Sequence, residues 1–296
     1  MGKGAEECIV AILANPIAGT RSSRKSLHEL IDVLRATGLK PSVCRRPEEL
    51  SDIIAQQGDN IRCVIAAGGD GTLREVLNRV GNTPVSIFPL GNENLVARHF
   101  GLRRSSRQMT ETLRAGITRP LDLGLSDGRV FALMVGVGFD AEVVHSVHQH
   151  RRGHVNKVTY VLAIRRAWRG YQFPEIDVEI LETGERLRGA MVMLFNLPAY
   201  GLGLPVAVQA DPADGRLDLY VFQRPGRWEL VRYLCAVILG MHLSLKDVQR
   251  RQIQRVRLWS KDKVPIQIDG DPAGYLPMEV EAVEGRWRLI VPPNEE

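Results

Sequence analysis

The sequence has few cysteines, few aromatic residues and no long apolar run. There are four cysteines and 6% aromatic residues among 296. The cysteines are Cys8, Cys44, Cys63 and Cys235. None has CxxC or Cys/His ligand spacing, so we expect free thiols in a reducing compartment, or plain burial, rather than disulfides or zinc. The best membrane-span candidate, residues 230–245, is short and contains Arg232 and His242, so it predicts a packed helix.

Two further features are missing at the N-terminus. The opening MGKGAEECIVAILANP lacks the basic-then-apolar layout of a secretory signal. Glu6 also occupies the position where a myristoylation signal requires Ser or Thr. We therefore predict a cytoplasmic protein. The formal charge of +5 permits attraction to phosphates or to an anionic membrane, and demonstrates neither.

The composition and the order of elements predict two domains. At 44% hydrophobic and 25% charged residues, the chain suits a soluble protein with domains of about 150 residues each. Residues 1–120 alternate buried strands with amphipathic helices, which predicts an α/β nucleotide-binding domain with a parallel sheet. Residues 121–296 read mainly as hairpins and strands, with one long helix over about 143–168. This part predicts a mostly antiparallel β-sandwich, whose last strand is a candidate to return to the first domain.

A glycine-rich turn lies between a strand and a helix of the first domain. The segment VIAAGGDGTLREVLN places three glycines, Asp70 and Thr72 directly after an apolar run. Glycines let backbone N–H groups approach a ligand, and a helix N-terminus favours phosphate. The spacing fits neither the P-loop nor GxGxxG. A tight structural turn with a helix cap remains the alternative.

The string GGDGT resembles the motif of the diacylglycerol kinase catalytic-domain family, which includes bacterial lipid kinases, sphingosine kinases and ceramide kinases. NAD kinases share GGDGT, so the surrounding segments decide. Asn15-Pro16 with Gly19 resembles the family's NPxxG turn, and GNENLVAR resembles its GTxNDFAR segment. The remaining matches are LDLG, VGVGFDAEV, FNLPAYGLGLPVAVQADPADGRLDLYVF and VPIQIDGDP. They occur in the family's order and cover nearly the whole chain.

The resemblance implies that ATP binds in a cleft between the two domains with Mg²⁺. The residues it assigns to the nucleotide or its Mg²⁺ are Asn15, Gly68, Gly69, Asp70, Gly71 and Thr72. Arg45 stands near a family position that touches nucleotide, with a solvated basic turn as the alternative. Asn92 stands at the Thr of GTxND and Asn94 at its Asn. Leu95 replaces the motif's Asp, which removes a carboxylate from this position. Either Glu93 compensates for that carboxylate, or the acceptor is held differently. The alternative is that the segment is simply an amphipathic helix.

Asp271 stands at the Glu of the family's DGE segment, and with Asp70 it is a predicted catalytic residue. A hydroxyl that attacks the γ-phosphoryl group must lose its proton, and a nearby carboxylate can accept it. The side chain of Asp lacks one methylene group of Glu, so its carboxylate extends about 1.5 Å less far from the backbone. The alternative is that residues 269–272 form a solvated β-turn.

A structural Mg²⁺ site is also implied by the resemblance. Carried over, its ligands are the carbonyl of Asp211, the carboxylate of Asp214 and the carbonyl of Arg216. Clustered oxygens of this kind suit a hard cation. The alternative is an Asp-Gly hairpin turn without an ion.

The long helical region is rich in basic residues. Its members are His145, His148, His150, His154, Arg151, Arg152, Arg165, Arg166 and Arg169. No Cys or acidic partner accompanies the histidines at ligand spacing, so a solvated basic helix is expected rather than zinc. Such a face suits anionic lipid headgroups or simply solubility. Binding to nucleic acid is not expected, because no aromatic residues alternate with these basic residues in a stacking pattern.

The sequence therefore predicts an ATP-dependent lipid kinase that acts on a lipid hydroxyl such as that of diacylglycerol. The predicted partners are a lipid acceptor and, transiently, an anionic membrane surface at the inner face of the membrane; no oligomer is indicated. One alternative is a nucleotide- or lipid-binding member that has lost transfer, suggested by Asn92, Leu95 and Asp271. The other is an enzyme like NAD kinase.

Overall fold

The computed structural model describes residues 9–14, 21–150, 157–198, 200–201, 204 and 206–293. The predictions on Cys8, Asn15, Gly19, Arg151, Arg152 and His154 lie outside these residues. The chain divides into two units. Unit 1 comprises residues 1–122 and 285–296, and unit 2 comprises residues 123–284.

Unit 1 alternates strands and helices. Its elements are β1 (Ile9–Ala14), α1 (Arg21–Ala36), β2 (Lys40–Cys44), α2 (Pro47–Gln57), β3 (Ile61–Gly68), α3 (Asp70–Leu77), β4 (Val85–Pro89), α4 (Leu95–His99) and α5 (Ser106–Ala115). A short 3₁₀ turn, Gly58–Asn60, precedes β3. Strand β5 (Thr118–Ser126) leads from unit 1 into unit 2.

Unit 2 is mostly strand. Its elements are β6 (Arg129–Phe131), β7 (Met134–Gly138), α6 (Phe139–Gln149), α7 (Lys157–Gly170), β8 (Ile176–Ile180), β9 (Arg186–Gly189), β10 (Met191–Phe195), β11 (Leu217–Phe222), α8 (Arg227–Ile238), β12 (Val248–Ile253), β13 (Arg255–Trp259), β14 (Pro265–Ile268) and β15 (Asp271–Tyr275). The last strand, β16 (Met278–Ile290), begins in unit 2 and from Gly285 onward belongs to unit 1.

Five strands of the sheet of unit 1 form a parallel run, and β5 also pairs with β16 beside it. The order of the run is β2-β1-β3-β4-β16, and each neighbouring pair is parallel. Strands β1 and β3 are almost entirely buried, as expected when helices cover both faces of a parallel sheet. The predicted α/β fold with a parallel sheet is confirmed.

Two antiparallel sheets form unit 2. One has the order β12-β11-β10-β7-β14-β15, and the other joins the first part of β16 to β13, β8 and β9. Buried side chains of both sheets, among them Val137, Leu194, Val178 and Val256, form one core. The predicted β-sandwich is confirmed.

Several local predictions are wrong. The long helix over 143–168 is two helices, because α6 ends before His150 and α7 begins at Lys157. The segment RQIQRVRLWS is two strands, β12 and β13, which belong to different sheets. MEVEAVEG and the WRLI of WRLIVPP belong to the single strand β16. Helix α5 was not predicted, although Ser105 caps it and Gly116 ends it in the left-handed conformation.

The cysteines and the apolar segment near residue 235 also differ in part from expectation. Cys44 and Cys63 are buried free thiols, and burial raises their pKa values to about 11 and about 12. Cys235 is exposed on α8. The predicted packed helix is buried on one side only, because Trp228 and Ile238 are also exposed. Within the described chain, no helix has the length and apolar character needed to cross a membrane.

Candidate functional site

The glycine-rich turn joins β3 to α3. Gly69 is the extended residue before α3, and the N–H groups of Thr72 and Leu73 donate to its carbonyl at 2.9 and 3.1 Å. A Cβ on Gly68 would collide with the Thr72 side chain, so the tight turn requires glycine there. A Cβ on Gly71 would meet nothing within 4 Å, and Gly71 is exposed. The first turn of α3 therefore faces open space, where a helix N-terminus favours an anion.

A second turn, residues 90–94, packs against the first. The N–H of Leu90 donates to the Gly68 carbonyl at 2.9 Å. A Cβ on Gly91 would lie 2.7 Å from the Gly69 Cα, so the two backbones are in close contact. Asn94 adopts a left-handed conformation, and its side-chain amide bonds the Gly91 N–H at 3.1 Å and the Gly91 carbonyl at 2.8 Å. The side chain of Asn94 thus closes this turn.

Asp70 connects the two turns. Its carboxylate accepts hydrogen bonds from the backbone N–H groups of Leu95 and Val96 at 3.0 and 3.2 Å. These N–H groups open α4 and have no partner within the helix. Burial raises the pKa of Asp70. The structure therefore shows a bracing role for Asp70, and its predicted catalytic role stays a prediction.

The remaining predicted nucleotide contacts of unit 1 follow the same ends of the parallel strands. Arg45 follows β2 and is exposed, as is Asn92 after β4. The carboxyl ends of parallel strands form one edge of a sheet, which is where ligands bind in open α/β sheets. Leu95, which replaces the motif's Asp, is 8% exposed and packs in the interior, whereas Glu93 is exposed. Compensation by Glu93 stays a prediction.

In unit 2, the segment 269–271 is held by backbone hydrogen bonds. Asp269 has a φ of 50°, and its carboxylate accepts from the N–H groups of Ala132, Leu133 and Met134 at 2.9–3.0 Å. The N–H of Gly270 donates to Gln267 Oε1 at 2.8 Å. These bonds fix the backbone that leads into Asp271. The alternative of a solvated β-turn is thus a turn that the half-buried Asp269 holds in place.

Asp271 opens β15, and its side chain is 45% exposed. His148 on α6 lies beside it, with Nε2 at 3.3 Å from Asp271 Oδ1. An imidazole at this distance can orient a carboxylate and, when protonated, can attract it. The pair gives the acid a fixed direction while leaving part of it accessible.

Sequence reasoning missed a buried acid beneath this segment. Asp140, at the start of α6, is 7% exposed, accepts from Gln267 Nε2 at 2.8 Å and accepts from the Tyr200 hydroxyl. Burial raises its pKa. Gln267 in turn bonds Gly270, so Asp140 reaches the backbone beside Asp271 through one side chain. The available signal was a carboxylate placed directly after the apolar run VGVGF, at the start of α6.

The predicted Mg²⁺ ligands lie together in one turn before β11. Asp211 Oδ1 accepts from the Ala213 N–H at 3.1 Å, and Asp214 Oδ1 accepts from the Arg216 N–H at 2.9 Å. Gln252 Nε2 donates to Asp214 Oδ2 at 3.1 Å. Across the described residues, no three His, Cys, Asp or Glu side chains are grouped to hold a metal. Oxygen atoms of this kind are the ligands that a hard cation prefers. Two of the three predicted ligands are backbone carbonyls rather than side chains, so the Mg²⁺ site stays a prediction.

The solvated basic helix is wrong for His145. His145 is buried, and its Nε2 bonds the Ile266 carbonyl at 2.9 Å. His148 is half-buried and His150 is exposed, and both bond backbone carbonyls of α6. The arginines of α7 are exposed, as expected.

A cavity of about 330 Å³ in unit 1 contains none of the predicted site residues. It is lined by His99, Phe100, Gly101, Arg103, Gln108, Glu111, Thr112, Arg119, Val291, Pro292 and Pro293.

Known proteins match nearly the whole chain. Residues 9–126 match the diacylglycerol kinase catalytic domain, and residues 133–291 match the YegS C-terminal NAD kinase beta sandwich-like domain. The chain is 23% identical over 294 residues to the diacylglycerol kinase of Bacillus subtilis, covering 96% of each protein. It is 26% identical over 304 residues to that of Mycobacterium tuberculosis, covering 96% of this chain and 95% of the relative.

A solved structure has the same fold. A diacylglycerol kinase from Bacillus anthracis superposes with a TM-score of 0.73 at 20% identity, and 99% of each chain is covered. At this identity the structural likeness supports the fold, and the family follows from the two sequence matches. The chain belongs to the diacylglycerol kinase catalytic-domain family, with the YegS type of C-terminal β-sandwich.

Proposed function

We propose that the protein is an ATP-dependent lipid kinase that transfers the γ-phosphoryl group to a lipid hydroxyl such as that of diacylglycerol. The observation that carries the proposal is the glycine-rich turn, whose backbone reaches open space at the start of α3. The family membership supports a kinase, and the relatives from B. subtilis and M. tuberculosis carry the name diacylglycerol kinase.

In this proposal the nucleotide's phosphates lie on the backbone of residues 68–72. The residues that would hold the nucleotide are Asn15, Arg45, Gly68, Gly69, Asp70, Gly71, Thr72, Asn92 and Asn94. ATP supplies the phosphoryl group, and Mg²⁺ supplies charge neutralisation when it is bound. A second Mg²⁺, held by Asp211, Asp214 and Arg216, would brace the fold. Rigid packing between the two turns supports a preformed phosphate cradle, since backbone donors that need no reorganisation bind charge best.

Asp271 is the proposed general base. Its partial exposure leaves a carboxylate oxygen accessible to an acceptor hydroxyl, and His148 holds its direction. The rigid turn at Asp269 matters because a displacement of about 1 Å lowers rates by about a hundredfold. Fixing the backbone in this way is one means of compensating for the shorter reach of Asp relative to Glu.

The test is an acceptor screen with labelled ATP, Mg²⁺ and a panel of lipids, with NAD included and mass detection of each product. Asp271→Asn is expected to lower kcat by at least about a hundredfold, and Asp271→Glu to retain activity. Asp262→Asn, at an exposed acid of the same unit, is the matched control. Full turnover by Asp271→Asn would remove Asp271 from the mechanism, and phosphorylation of NAD alone would replace the lipid acceptor.

One observation favours a second candidate, a nucleotide- or lipid-binding protein without transfer. The motif's Asp is replaced by Leu95, whose side chain is buried. This position therefore supplies no carboxylate to an acceptor. Thermal stabilisation by ATP without product from any acceptor would select this candidate. Restoring the acid by Leu95→Asp tests whether the missing group limits turnover, with circular dichroism to verify folding.

A further inference from the structure

Helix α8 exposes an apolar face that no described part of the chain covers. Its members, here called the α8 face, are Trp228, Val231, Leu234, Ile238, Leu239 and Met241, the last two just beyond the helix end. Trp228 is 82% exposed, Ile238 60% and Leu239 70%. The opposite side of the helix packs inward through Tyr233, Ala236 and Val237. Exposed apolar patches of this kind mark sites of interaction with proteins or membranes.

The exposed positions of α8 include no acidic residue. After Arg227, these positions carry Trp, Val, Leu, Cys and Ile. The acidic residues nearby are paired with a cation, because Glu229 and Asp247 both accept hydrogen bonds from Arg232. The α8 face is therefore apolar without exposed negative charge.

Helix α7 adds basic residues at one end of the α8 face. The ring centroids of Trp168 and Trp228 are 6.4 Å apart, and Arg227 Nη2 donates to the Arg169 carbonyl at 2.8 Å. Contact between the two helices brings Arg169 beside Arg227, and both are exposed. Arg165 and Arg166, also exposed, lie on the preceding turn of α7.

We propose that the α8 face inserts into the headgroup region of an anionic lipid bilayer, with the arginines of α7 and Arg227 contacting the headgroups. Twelve residues of helix span about 18 Å, which is too short to cross a bilayer of about 30 Å. A short helix with one apolar side and flanking arginines lies in the plane of the interface. Trp228 at its start is the residue type that such interfaces favour. The choice of partner rests on the proposed lipid kinase, whose acceptor resides in a membrane.

Vesicle binding tests this proposal without ATP or turnover. The full chain is sedimented with vesicles of phosphatidylcholine alone and of phosphatidylcholine mixed with phosphatidylglycerol. We expect binding to the anionic vesicles that weakens as salt is raised, since the arginine contribution is screened. Leu234→Glu and Ile238→Glu should each weaken binding by about tenfold or more. Val208→Glu, a matched change at a residue 64% exposed elsewhere in unit 2, should have no effect.

A second measurement introduces no charge into the α8 face. Brominated lipids quench a tryptophan that enters the headgroup region, so wild-type emission should fall on binding, and Trp228→Phe should abolish most of that quenching. Equal binding by wild type and Ile238→Glu would overturn the proposal, as would absence of binding to anionic vesicles. A concentration-dependent dimer that Ile238→Glu dissociates would assign the face to a second copy instead. Turnover of a short-chain acceptor in detergent measures the kinase activity without vesicles. Failure of the membrane proposal can therefore be distinguished from failure of the proposed kinase function.

Discussion

At the residue scale, two of the three glycines of the GGDGT turn, Gly68 and Gly71, serve different purposes. Gly68 is required by the fold, because a Cβ there would collide with Thr72. Gly71 is not required by packing, because a Cβ there would meet nothing within 4 Å and its backbone is helical. A glycine in a helix without a packing reason lowers stability by roughly 0.5–1 kcal/mol relative to Ala. We infer that the space at Gly71 serves a ligand.

Gly71→Ala should therefore separate folding from binding. We expect the free energy of unfolding in urea to stay constant or rise by up to about 1 kcal/mol, since Ala is the better helix former. The Kd for ATP should rise by about tenfold or more, which corresponds to about 1.4 kcal/mol, because the methyl group occupies the phosphate space. Gly170→Ala, at an equally open glycine of α7, is the control for both measurements. Unchanged ATP affinity in Gly71→Ala would place the phosphates elsewhere.

The buried acid Asp140 predicts a pH dependence of stability. Its pKa in the unfolded chain is near 3.8, and burial raises it in the folded protein. Below pH 3.8 both states hold the proton. As pH rises, the unfolded chain releases the proton first, so the folded state loses stability until the pH passes its raised pKa.

The measurement is urea unfolding of wild type and Asp140→Asn from pH 4 to pH 8. The wild type should lose stability relative to the variant by up to about 1.4 kcal/mol per pH unit, up to the folded pKa, and then remain constant. Only this pH-dependent difference is diagnostic, because Asn also changes the bonds to Gln267 and Tyr200. The exposed control Asp262→Asn should show no such trend. A flat difference would mean that Asp140 is ionised throughout.

At the element scale, the strand–helix alternation of unit 1 could be read from the sequence, but several boundaries could not. Periodicity identifies buried strands such as β1 and β3, because they are short apolar runs bounded by glycine and proline. It could not show that β16 continues through Gly285, since a glycine in a strand pattern normally indicates an interruption. Periodicity also could not separate β12 from β13, because the two strands share one alternating pattern. They are distinct only because they pair into different sheets.

The acids of the candidate site show the same limit. Motif comparison located Asp70 and Asp271, which stand inside recognisable strings. It gave no role to Asp269 or Asp140, because their partners are backbone groups and side chains far away in the sequence, 137 residues for Ala132 and 127 for Gln267. Local sequence does not encode such pairings. Only the fold identifies these two acids as the supports of the segment that leads into Asp271.

Asp70 is the connection between α3 and α4, and its removal should loosen both. Asp70→Ala leaves the N–H groups of Leu95 and Val96 without their acceptor, which costs about 1–3 kcal/mol for each buried group. We expect a decrease of that order in the free energy of unfolding, with faster hydrogen exchange at the start of α4. Asp59→Ala, at an exposed acid of unit 1, should change neither. If Asp70→Ala abolished turnover while leaving stability and exchange intact, the predicted catalytic role would be supported instead.

At the scale of the whole molecule, unit 1 is assembled from two distant parts of the chain. Its sheet is completed by the end of β16, which pairs with β4 through Leu289 and Val85. The indole N–H of Trp287 donates to the Leu77 carbonyl at 3.0 Å, and Ser86 Oγ donates to the Ile290 carbonyl at 3.1 Å. The N–H of Gly285 donates to Asp122 at 2.6 Å. The glycine-rich turn therefore lies in a unit whose sheet includes the last strand of the protein.

This discontinuity predicts that residues 1–122 do not fold alone. Without residues 285–296, β4 becomes an exposed edge and Leu77 and Ser86 lose buried partners. We expect cooperative urea unfolding only when residues 285–296 are joined to residue 122 by a flexible linker. In the joined protein, Trp287→Ala should lower the free energy of unfolding by about 3–5 kcal/mol. Arg288→Ala, at an exposed neighbour, should lower it by at most about 0.5 kcal/mol. Cooperative folding of residues 1–122 by themselves would show that the last strand only covers a sheet that is already stable.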